Sequence, residues 1–139
     1  MNSPQIVVDE HIAHSKVTDP LKNWITAEQI GFELRQAKGL SDEQIIPLLH
    51  RLKRRTFVTI DSDFYNPKLC NDAYCLIYFH LSSKQQAQIP DLLRRLFRIE
   101  GFRSIRERMG KVVWVSPEGI RYYQRHLQDE QYLDWPAIK

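Results

Sequence analysis

The sequence predicts an α/β protein built on a mostly parallel sheet. Several short segments consist almost wholly of apolar residues, and stretches with helical spacing lie between them. Continuous apolar runs are typical of strands buried on both faces, and alternation of strands with helices favours parallel pairing. With 139 residues, the chain has the length of a single domain, which we expect to span residues 1–139.

Four strands follow from local composition. Residues 5–9 form a short apolar run that ends in two acids, and residues 57–60 form a second run followed by Asp61 and Asp63. Residues 73–79 are apolar throughout, and residues 111–115 form a further strand. Ligands of parallel α/β sheets bind beyond the carboxyl ends of the strands. We therefore look for the site among the residues that follow these runs.

Three helices are predicted from capping signals. Ser41 with Gln44 forms a capping-box pattern before the helical spacing of residues 45–52, although Pro47 predicts a kink or an irregular first turn there. Ser83 with Gln86 predicts the cap of a second helix, whose regular part begins near Pro90.

The third helix is predicted near the end of the chain. Ser116, Pro117 and Glu118 have the pattern of a helix start, with proline in the first helical position. We expect the inward-facing residues of this helix to be Ile120, Tyr123 and Leu127. Residues 84–127 would then form a helix–strand–helix portion, followed by a short tail.

The distribution of charge distinguishes the two halves of the chain. The net charge is −1 over residues 1–83, +6 over residues 84–125 and −2 over residues 126–139. An acidic first half and a basic second half fit a phosphate-rich partner that approaches an acidic, metal-using centre. The alternative is that these charges are ordinary solvated helix faces.

Several classes of protein are disfavoured. The longest apolar run has seven residues, whereas a membrane span needs about 18. The start of the chain lacks a basic segment followed by an apolar one, so we expect no signal peptide. The two cysteines, Cys70 and Cys75, have no metal-binding spacing, so we expect a cytoplasmic protein. The chain has no P-loop, no GxGxxG motif and no recognisable catalytic triad.

Acidic residues follow two of the predicted strands. Asp9 and Glu10 end the first, and Asp61 and Asp63 follow the second. If the strands are parallel, Asp9 and Asp61 lie at one sheet edge, where crowded carboxylates repel unless a cation lies between them. Oxygen ligands suit Mg²⁺ or Mn²⁺, and a turn at Ser62 would bring Asp61 and Asp63 to one centre. The alternative is that these aspartates only form turns.

Other candidate ligands give weaker signals. Asp42 and Glu43 lie in the first turn after Ser41, where acids also complement the helix dipole. His11 and His14 are three residues apart near the first acids, but their spacing matches no recognised metal motif, so surface histidines are the simpler interpretation.

Three segments together resemble a known family. IVVDEH at residues 6–11, LSDEQII at 40–46 and FVTIDSDF at 57–64 resemble the small bacterial PIN-like domains, a group regarded as toxin nucleases. In that group a first strand ends in Asp-Glu-Asn, a helix begins with Ser-Asp-x-x-Ile, and a later strand ends in Thr-x-Asp-x-Asp-Phe. The match covers about residues 5–80, and its most specific element is residues 59–64.

The resemblance implies a PIN-like three-layer α/β/α fold with a mostly parallel central sheet and acids gathered around Mg²⁺ or Mn²⁺. It implies cleavage of single-stranded RNA by metal-activated water, and it favours a strand over residues 24–29. Asp9, Asp61 and Asp63 match the metal-binding acids. Asp42 matches a fourth catalytic acid at the helix start, with Glu43 as the competing choice.

We therefore expect a metal-dependent endoribonuclease, the toxin of a toxin–antitoxin pair, with RNA, an antitoxin protein and further copies of itself as candidate partners. The basic side chains that we expect to hold the RNA backbone are Arg51, Lys53, Arg54, Arg55, Arg94, Arg95 and Arg98. One alternative is a PIN-like binding protein without catalytic activity. Another is a receiver-like phospho-signalling domain, although the lysine expected after the final strand is missing.

Overall fold

The computed structural model describes residues 4–136, and its central feature is a seven-stranded sheet. The strands in chain order are β1 (Ile6–Val8), β2 (Ala27–Gln29), β3 (Arg55–Thr59), β4 (Tyr74–Phe79), β5 (Lys111–Ser116), β6 (Gly119–Gln124) and β7 (Gln131–Leu133). Their order across the sheet is β2-β1-β3-β4-β5-β6-β7. The strands from β2 to β5 pair in parallel, whereas β6 and β7 pair antiparallel. The predicted α/β class with a mostly parallel sheet is confirmed.

Helices lie in the connections between the parallel strands, except that β3 and β4 are joined by 3₁₀ turns alone. They are α1 (Thr18–Leu21), α2 (Asp42–Leu52), α3 (Ile89–Leu96) and α4 (Ile105–Arg108). Short 3₁₀ turns are formed by Arg35–Ala37, Ser62–Phe64, Pro67–Leu69 and Ser83–Gln88. Helix α1 is a single turn that contains Pro20, and proline disfavours helical geometry in the residue before it. None of the helices in residues 4–136 has the length and apolar character needed to cross a membrane.

The sheet buries hydrophobic residues on both faces. Val7, Phe57 and Leu76 contribute to one cluster, which also contains the buried side of α2. The adjacent residues in the same strands, such as Val58 and Ile77, contribute to a second cluster that includes the apolar side of α3. Successive side chains of a strand point to opposite faces, so continuous apolar strands are what such a sheet requires.

Helix α2 begins directly after the capping residue that the sequence predicts. Ser41 and Gln44 form the predicted capping box, and the Ser41 N–H donates to Gln44 Oε1 over 2.9 Å. Ile45 and Leu49 face the core. The helix continues through Pro47, which lacks the N–H that a helical residue donates four positions back. Because α2 packs on the sheet through Ile45 and Leu49, the helix fixes the position of Asp42 in its first turn.

The predicted terminal helix is wrong, because residues 116–124 form a β-hairpin. Ser116 pairs with Gly119, so Pro117 and Glu118 are the two turn residues between β5 and β6. Proline at the second position of a turn is as favourable as proline at a helix start, so the same residues fit both structures. Ile120 is buried as expected, but Leu127 lies beyond β6 and is 48% exposed. The portion 84–127 is therefore helix–strand–strand.

Three boundaries also differ from expectation. The second capping box uses Ser82 and Gln85, not Ser83 and Gln86, and it precedes a 3₁₀ turn before α3. Pro90 lies in the first turn of α3, as predicted. The helix ends at Leu96, so Arg98 does not share it with Arg94 and Arg95. The strand that the family resemblance favoured over residues 24–29 is limited to Ala27–Gln29.

Candidate functional site

The carboxyl ends of β1 and β3 lie side by side. The two strands are parallel neighbours, with Ile6 opposite Thr56 and Val8 opposite Val58. Asp9 and Asp61 therefore follow these strands at the same sheet edge, which confirms the sequence-based expectation for this pair. The Asp9 N–H extends the pairing by donating to the Val58 carbonyl over 2.9 Å.

Three aspartates converge at this edge. One carboxylate oxygen from each of Asp42, Asp61 and Asp63 lies within 4.8 Å of the other two, and we call this group the acid triplet. Asp61 begins the 3₁₀ turn of Ser62–Phe64, and its Oδ1 accepts a 3.0 Å hydrogen bond from the Asp63 N–H. A turn at Ser62 thus brings Asp63 beside Asp61, as the sequence predicted. Asp42 comes from the first turn of α2.

Asp9 lies beside the acid triplet and is held by its own partners. Its Oδ2 accepts a hydrogen bond from Thr59 Oγ1 over 2.7 Å, and its Oδ1 accepts one from the Glu10 N–H over 2.8 Å. Burial raises the pKa of Asp9 and the negative charge of Asp61 raises it further, while the two hydrogen bonds oppose this change. The family resemblance implied Asp9, Asp61 and Asp63 as the metal ligands, with Asp42 as a fourth catalytic acid. The structure places Asp42 in that group and Asp9 next to it.

Crowding affects the titration of Asp42. Asp42 is exposed, but its pKa is raised by loss of part of its hydration, by a side-chain hydrogen bond with Asp61, and by the negative charges of Asp61, Asp9 and Asp63. Carboxylates arranged in this way repel one another in the absence of a cation, and their oxygens are the donors that Mg²⁺ and Mn²⁺ prefer. The side chains present thus fit a hard divalent cation.

Two polar residues that position Asp9 were not among the predicted site residues. Thr59 is fully buried, and its Oγ1 also accepts from the Asp61 N–H over 3.0 Å. Gln29, likewise fully buried, donates to the carbonyls of Asp9 and Ile12 over 3.0 and 2.6 Å. A polar residue that ends an apolar strand is the signal that could have identified Thr59.

Glu10 ties the first strand to the segment that leads into α2. Its Oε1 accepts a hydrogen bond from the Gly39 N–H over 2.8 Å. Gly31, with φ of +85°, lies so close that a Cβ there would be 2.9 Å from Glu10 Oε2. Glycine at position 31 thus allows both the positive φ and the close approach of this carboxylate. Glu10 therefore acts as a structural link.

A small cavity of about 220 Å³ adjoins the acid triplet. Asp42 and Asp63 line one part of it, and the apolar side chains of Ile46, Phe64 and Leu69 line another. Glu43 also lines this cavity but does not belong to the acid triplet. The structure therefore distinguishes the two acids of the first helical turn, because only Asp42 reaches Asp61 and Asp63.

One predicted basic group lies at the other edge of the sheet. Arg51, Lys53 and Arg54 are exposed residues at the end of α2, whose 11 residues extend about 16 Å from the acid triplet toward the start of β3. Arg55 begins β3 and is half-buried, and its guanidinium donates to the carbonyls of Leu52 and Lys53. This group is not brought to the acids.

The other basic group lies on and after α3. The Arg94 guanidinium lies 5.6 Å from the centre of the Trp24 ring, and that of Arg95 lies 4.5 Å from the centre of Trp135. Arg98 is exposed in the turn that follows the helix. Two of these three side chains therefore pack on aromatic rings.

The two histidines near the first acids do not form a metal site in the structure. His14 Nε2 lies 2.9 Å from Glu33 Oε2, and the His14 ring stacks on Phe32. His11 is exposed. Within residues 4–136, the acid triplet is the only set of three or more His, Cys, Asp or Glu side chains close enough to share an ion.

Comparisons of the chain with protein-family models, with curated proteins and with solved structures find no match.

Proposed function

We propose that the chain is a metal-dependent endoribonuclease with a PIN-like three-layer fold, and that it is the toxin of a toxin–antitoxin pair. The observation that carries the proposal is the acid triplet at the carboxyl edge of a parallel sheet, with Asp9 beside it. Carboxylate oxygens from separate elements, which come together only in the folded chain, are the arrangement that a hard cation requires.

The acid triplet and Thr59 have different proposed roles at the metal centre. Asp42, Asp61 and Asp63 would hold Mg²⁺ or Mn²⁺ through their carboxylate oxygens, and Thr59 keeps Asp9 oriented next to them. When bound, such a cation lowers the pKa of water and stabilises negative charge on a phosphodiester. The pKa of Asp42 is raised in the metal-free cluster, and a bound cation would lower it again, so that Asp42 would act as a charged ligand.

RNA is the substrate that the charge distribution favours. The basic side chains of the two groups would contact phosphates at a distance from the acids, so they would add affinity without taking part in the chemistry. An antitoxin protein and further copies of the chain remain proposed partners. The cytoplasm is the proposed compartment, because the two cysteines are free thiols without metal-binding spacing.

The test is cleavage of a labelled single-stranded RNA by the full chain with Mn²⁺, with Mg²⁺, or with a chelator. We expect metal-dependent cleavage that Asp42→Asn abolishes. Glu43→Gln is the matched control, because it removes a charge from the same helical turn but from outside the acid triplet, and this variant should remain active. A folded protein that cleaves no RNA with either metal would instead support a binding protein without catalytic activity.

A receiver-like phospho-signalling domain is the second candidate. The order β2-β1-β3-β4-β5 and the acids after β1 and β3 favour it, because such domains gather acids at these positions around an acceptor aspartate. The residues after β5 are Pro117 and Glu118, so the expected lysine is missing. Incubation with acetyl phosphate separates the two candidates, since only the receiver would form a stable adduct that Asp61→Asn abolishes.

A further inference from the structure

A row of paired residues crosses the sheet from the acid triplet to the far edge. Thr59 is opposite Tyr78, Tyr78 opposite Trp114, Trp114 opposite Arg121, and Arg121 opposite Tyr132. Residues directly opposite one another in neighbouring strands point to the same face. At its near end the row meets the acids, because Thr59 Oγ1 accepts a hydrogen bond from the Asp61 N–H.

The outer part of this row is a stack of flat groups. The Arg121 guanidinium lies 4.5 Å from the centre of the Trp114 ring and 5.7 Å from that of Tyr132. The ring of His80 stacks on Trp114 with centroids 5.1 Å apart and planes 25° apart, and its Nδ1 lies 2.9 Å from Tyr78 Oη. We call His80, Trp114, Arg121 and Tyr132 the stacking row.

The stacking row is open to solvent. Tyr132 is 67% exposed, which makes it the most exposed of the large hydrophobic residues in the described chain. Arg121 and His80 are exposed, and Trp114 is half-buried. Isolated exposed aromatic residues are common on surfaces, but here three rings are aligned with a guanidinium. Between these groups and the acids, the row continues through Tyr78 and Thr59, which are buried. Such alternation of rings and arginine is the composition of surfaces on which single-stranded bases stack.

A depression of about 180 Å³ lies beside the stacking row. Trp114, Arg121 and Tyr132 line it, together with the acidic residues Glu118 and Asp134. The carboxylates of Glu118 and Asp134 only accept hydrogen bonds, so these two side chains favour a ligand that offers donors. Cytosine, adenine and guanine carry exocyclic amino groups that donate, whereas uracil offers a single ring N–H flanked by two carbonyl oxygens, which carboxylates repel.

We propose that the stacking row binds the bases of a single-stranded RNA, and that the depression beside it prefers an amino-bearing base to uracil. The identity of the strand as RNA rests on the proposed function. Tyr78 joins the stacking row to the strand that ends at the acids, since its hydroxyl contacts His80 and its backbone pairs with Thr59. This placement favours a nucleic-acid strand over a second copy of the chain, because a strand lying on the row would be directed toward the acids. Glu118 and Asp134 offset the charge of Arg121, so base stacking rather than neutralisation of phosphates supplies the affinity here.

The experiment measures binding without cleavage, in the full chain carrying Asp61→Asn, with a chelator present. Fluorescence anisotropy follows labelled oligocytidylate. Tyr132→Ala should weaken binding about 5- to 150-fold, the range found when a stacking ring is removed. Tyr132→Phe keeps the ring and should bind as tightly as the parent. Phe32→Ala is the matched control, because Phe32 is also an exposed ring, at 43%, but follows β2 at the opposite end of the sheet.

Base preference is measured with oligouridylate of equal length. The parent should bind oligocytidylate about fivefold or more tightly than oligouridylate, equivalent to one net hydrogen bond. Combining Glu118→Gln with Asp134→Asn should bring the ratio of the two affinities close to one, because each amide lacks the negative charge and the second acceptor oxygen of the carboxylate. Equal affinity of the parent for the two oligonucleotides would overturn the assignment of the depression.

Failure of this inference is distinguishable from failure of the proposed function. Suppose that the wild type shows metal-dependent cleavage but Tyr132→Ala leaves the affinity for oligocytidylate unchanged. This result would contradict base binding by the stacking row and would still support the proposed nuclease activity. If Tyr132→Ala binds oligocytidylate more weakly and the wild type cleaves no RNA, base binding by the stacking row is supported and the proposed nuclease activity is contradicted. If Tyr132→Ala instead converts a dimer into a monomer in sedimentation while RNA binding persists, the row is a contact between copies and the inference is wrong.

Discussion

Thr59 Oγ1 donates a 2.7 Å hydrogen bond to Asp9 Oδ2 and so joins the ends of two neighbouring parallel strands. The same hydroxyl oxygen accepts from the Asp61 N–H. One buried hydroxyl therefore sets the position of an acid that follows β1 and of an acid that follows β3. The precision of the candidate site depends on this residue as much as on the carboxylates themselves.

Replacing this hydroxyl should cost stability and activity together. Thr59→Val keeps the side-chain shape but leaves Asp9 Oδ2 and the Asp61 N–H without their partner, so we expect the free energy of unfolding to fall by about 1–3 kcal/mol. Thr59→Ser is the control, since it keeps the hydroxyl and removes one methyl group, worth about 1 kcal/mol. Urea unfolding measures both. A Thr59→Val protein that is as stable as wild type and retains full cleavage would contradict the role given to Thr59.

Crowding of the acids predicts an unusual pH dependence for the metal-free protein. The pKa values of Asp9 and Asp42 are both raised on folding, by burial for Asp9 and by partial loss of hydration and neighbouring negative charges for the exposed Asp42. The folded state then binds more protons than the unfolded state, so the contribution of these groups to stability is present at low pH and is lost as pH rises above their ordinary value of 3.8.

Asp61→Asn should weaken this dependence, because it removes a negative charge that raises both pKa values. With a chelator present, the variant should melt a few degrees above wild type at neutral pH, and the difference should shrink toward pH 4 or so as the carboxylates become protonated. Thermal melts across this range check the prediction. Lower stability of the variant at every pH would show that Asp61 serves mainly as a turn former.

The basic side chains after α3 offer a test of phosphate binding away from the acids. Alanine at Arg94, Arg95 and Arg98 together should weaken RNA binding and reduce the slope of log K against log salt by roughly 0.7 for each phosphate that the variant no longer neutralises. The turnover rate at saturating RNA should not change, since these residues lie outside the acid triplet. Because Arg94 and Arg95 also pack on Trp24 and Trp135, the melting temperature is measured in parallel. An unchanged salt slope would assign these residues to an ordinary solvated surface.

The sequence allowed the central part of the fold to be predicted because burial on both faces leaves a strong local signal. The apolar runs of β1, β3 and β4 lack the alternation of polar and apolar residues that an amphipathic strand shows. The acids that follow β1 and β3 predicted that these two strands end at the same edge of the sheet. The Ser62 turn was also foreseeable, since Asp61 accepts from a backbone N–H two residues later in the manner typical of aspartate.

Other features depended on tertiary packing that a local pattern does not contain. Ser116, Pro117 and Glu118 suit a helix start and a hairpin turn equally well, and pairing of Ile120 with Val115 decides between them. Asp42 or Glu43 could each have approached Asp61, and the orientation of α2 on the sheet selects Asp42. The sequence did not predict the stacking row, because its four residues lie in four separate segments of the chain. Only the pairing of the strands in the folded sheet brings them together.

Binding of Mn²⁺ to the acid triplet is the most direct test of the proposed metal centre, and electron paramagnetic resonance measures it through loss of the free-ion signal. The full chain should bind one Mn²⁺, Asp61→Asn should weaken binding more than about tenfold, and Glu43→Gln should leave it unchanged. Loss of an outer-sphere partner alone commonly costs a metal site 10-fold or so, and Asp61 would be a direct ligand. Equal Mn²⁺ affinity in wild type and Asp61→Asn would contradict the assignment of the acid triplet as a metal centre.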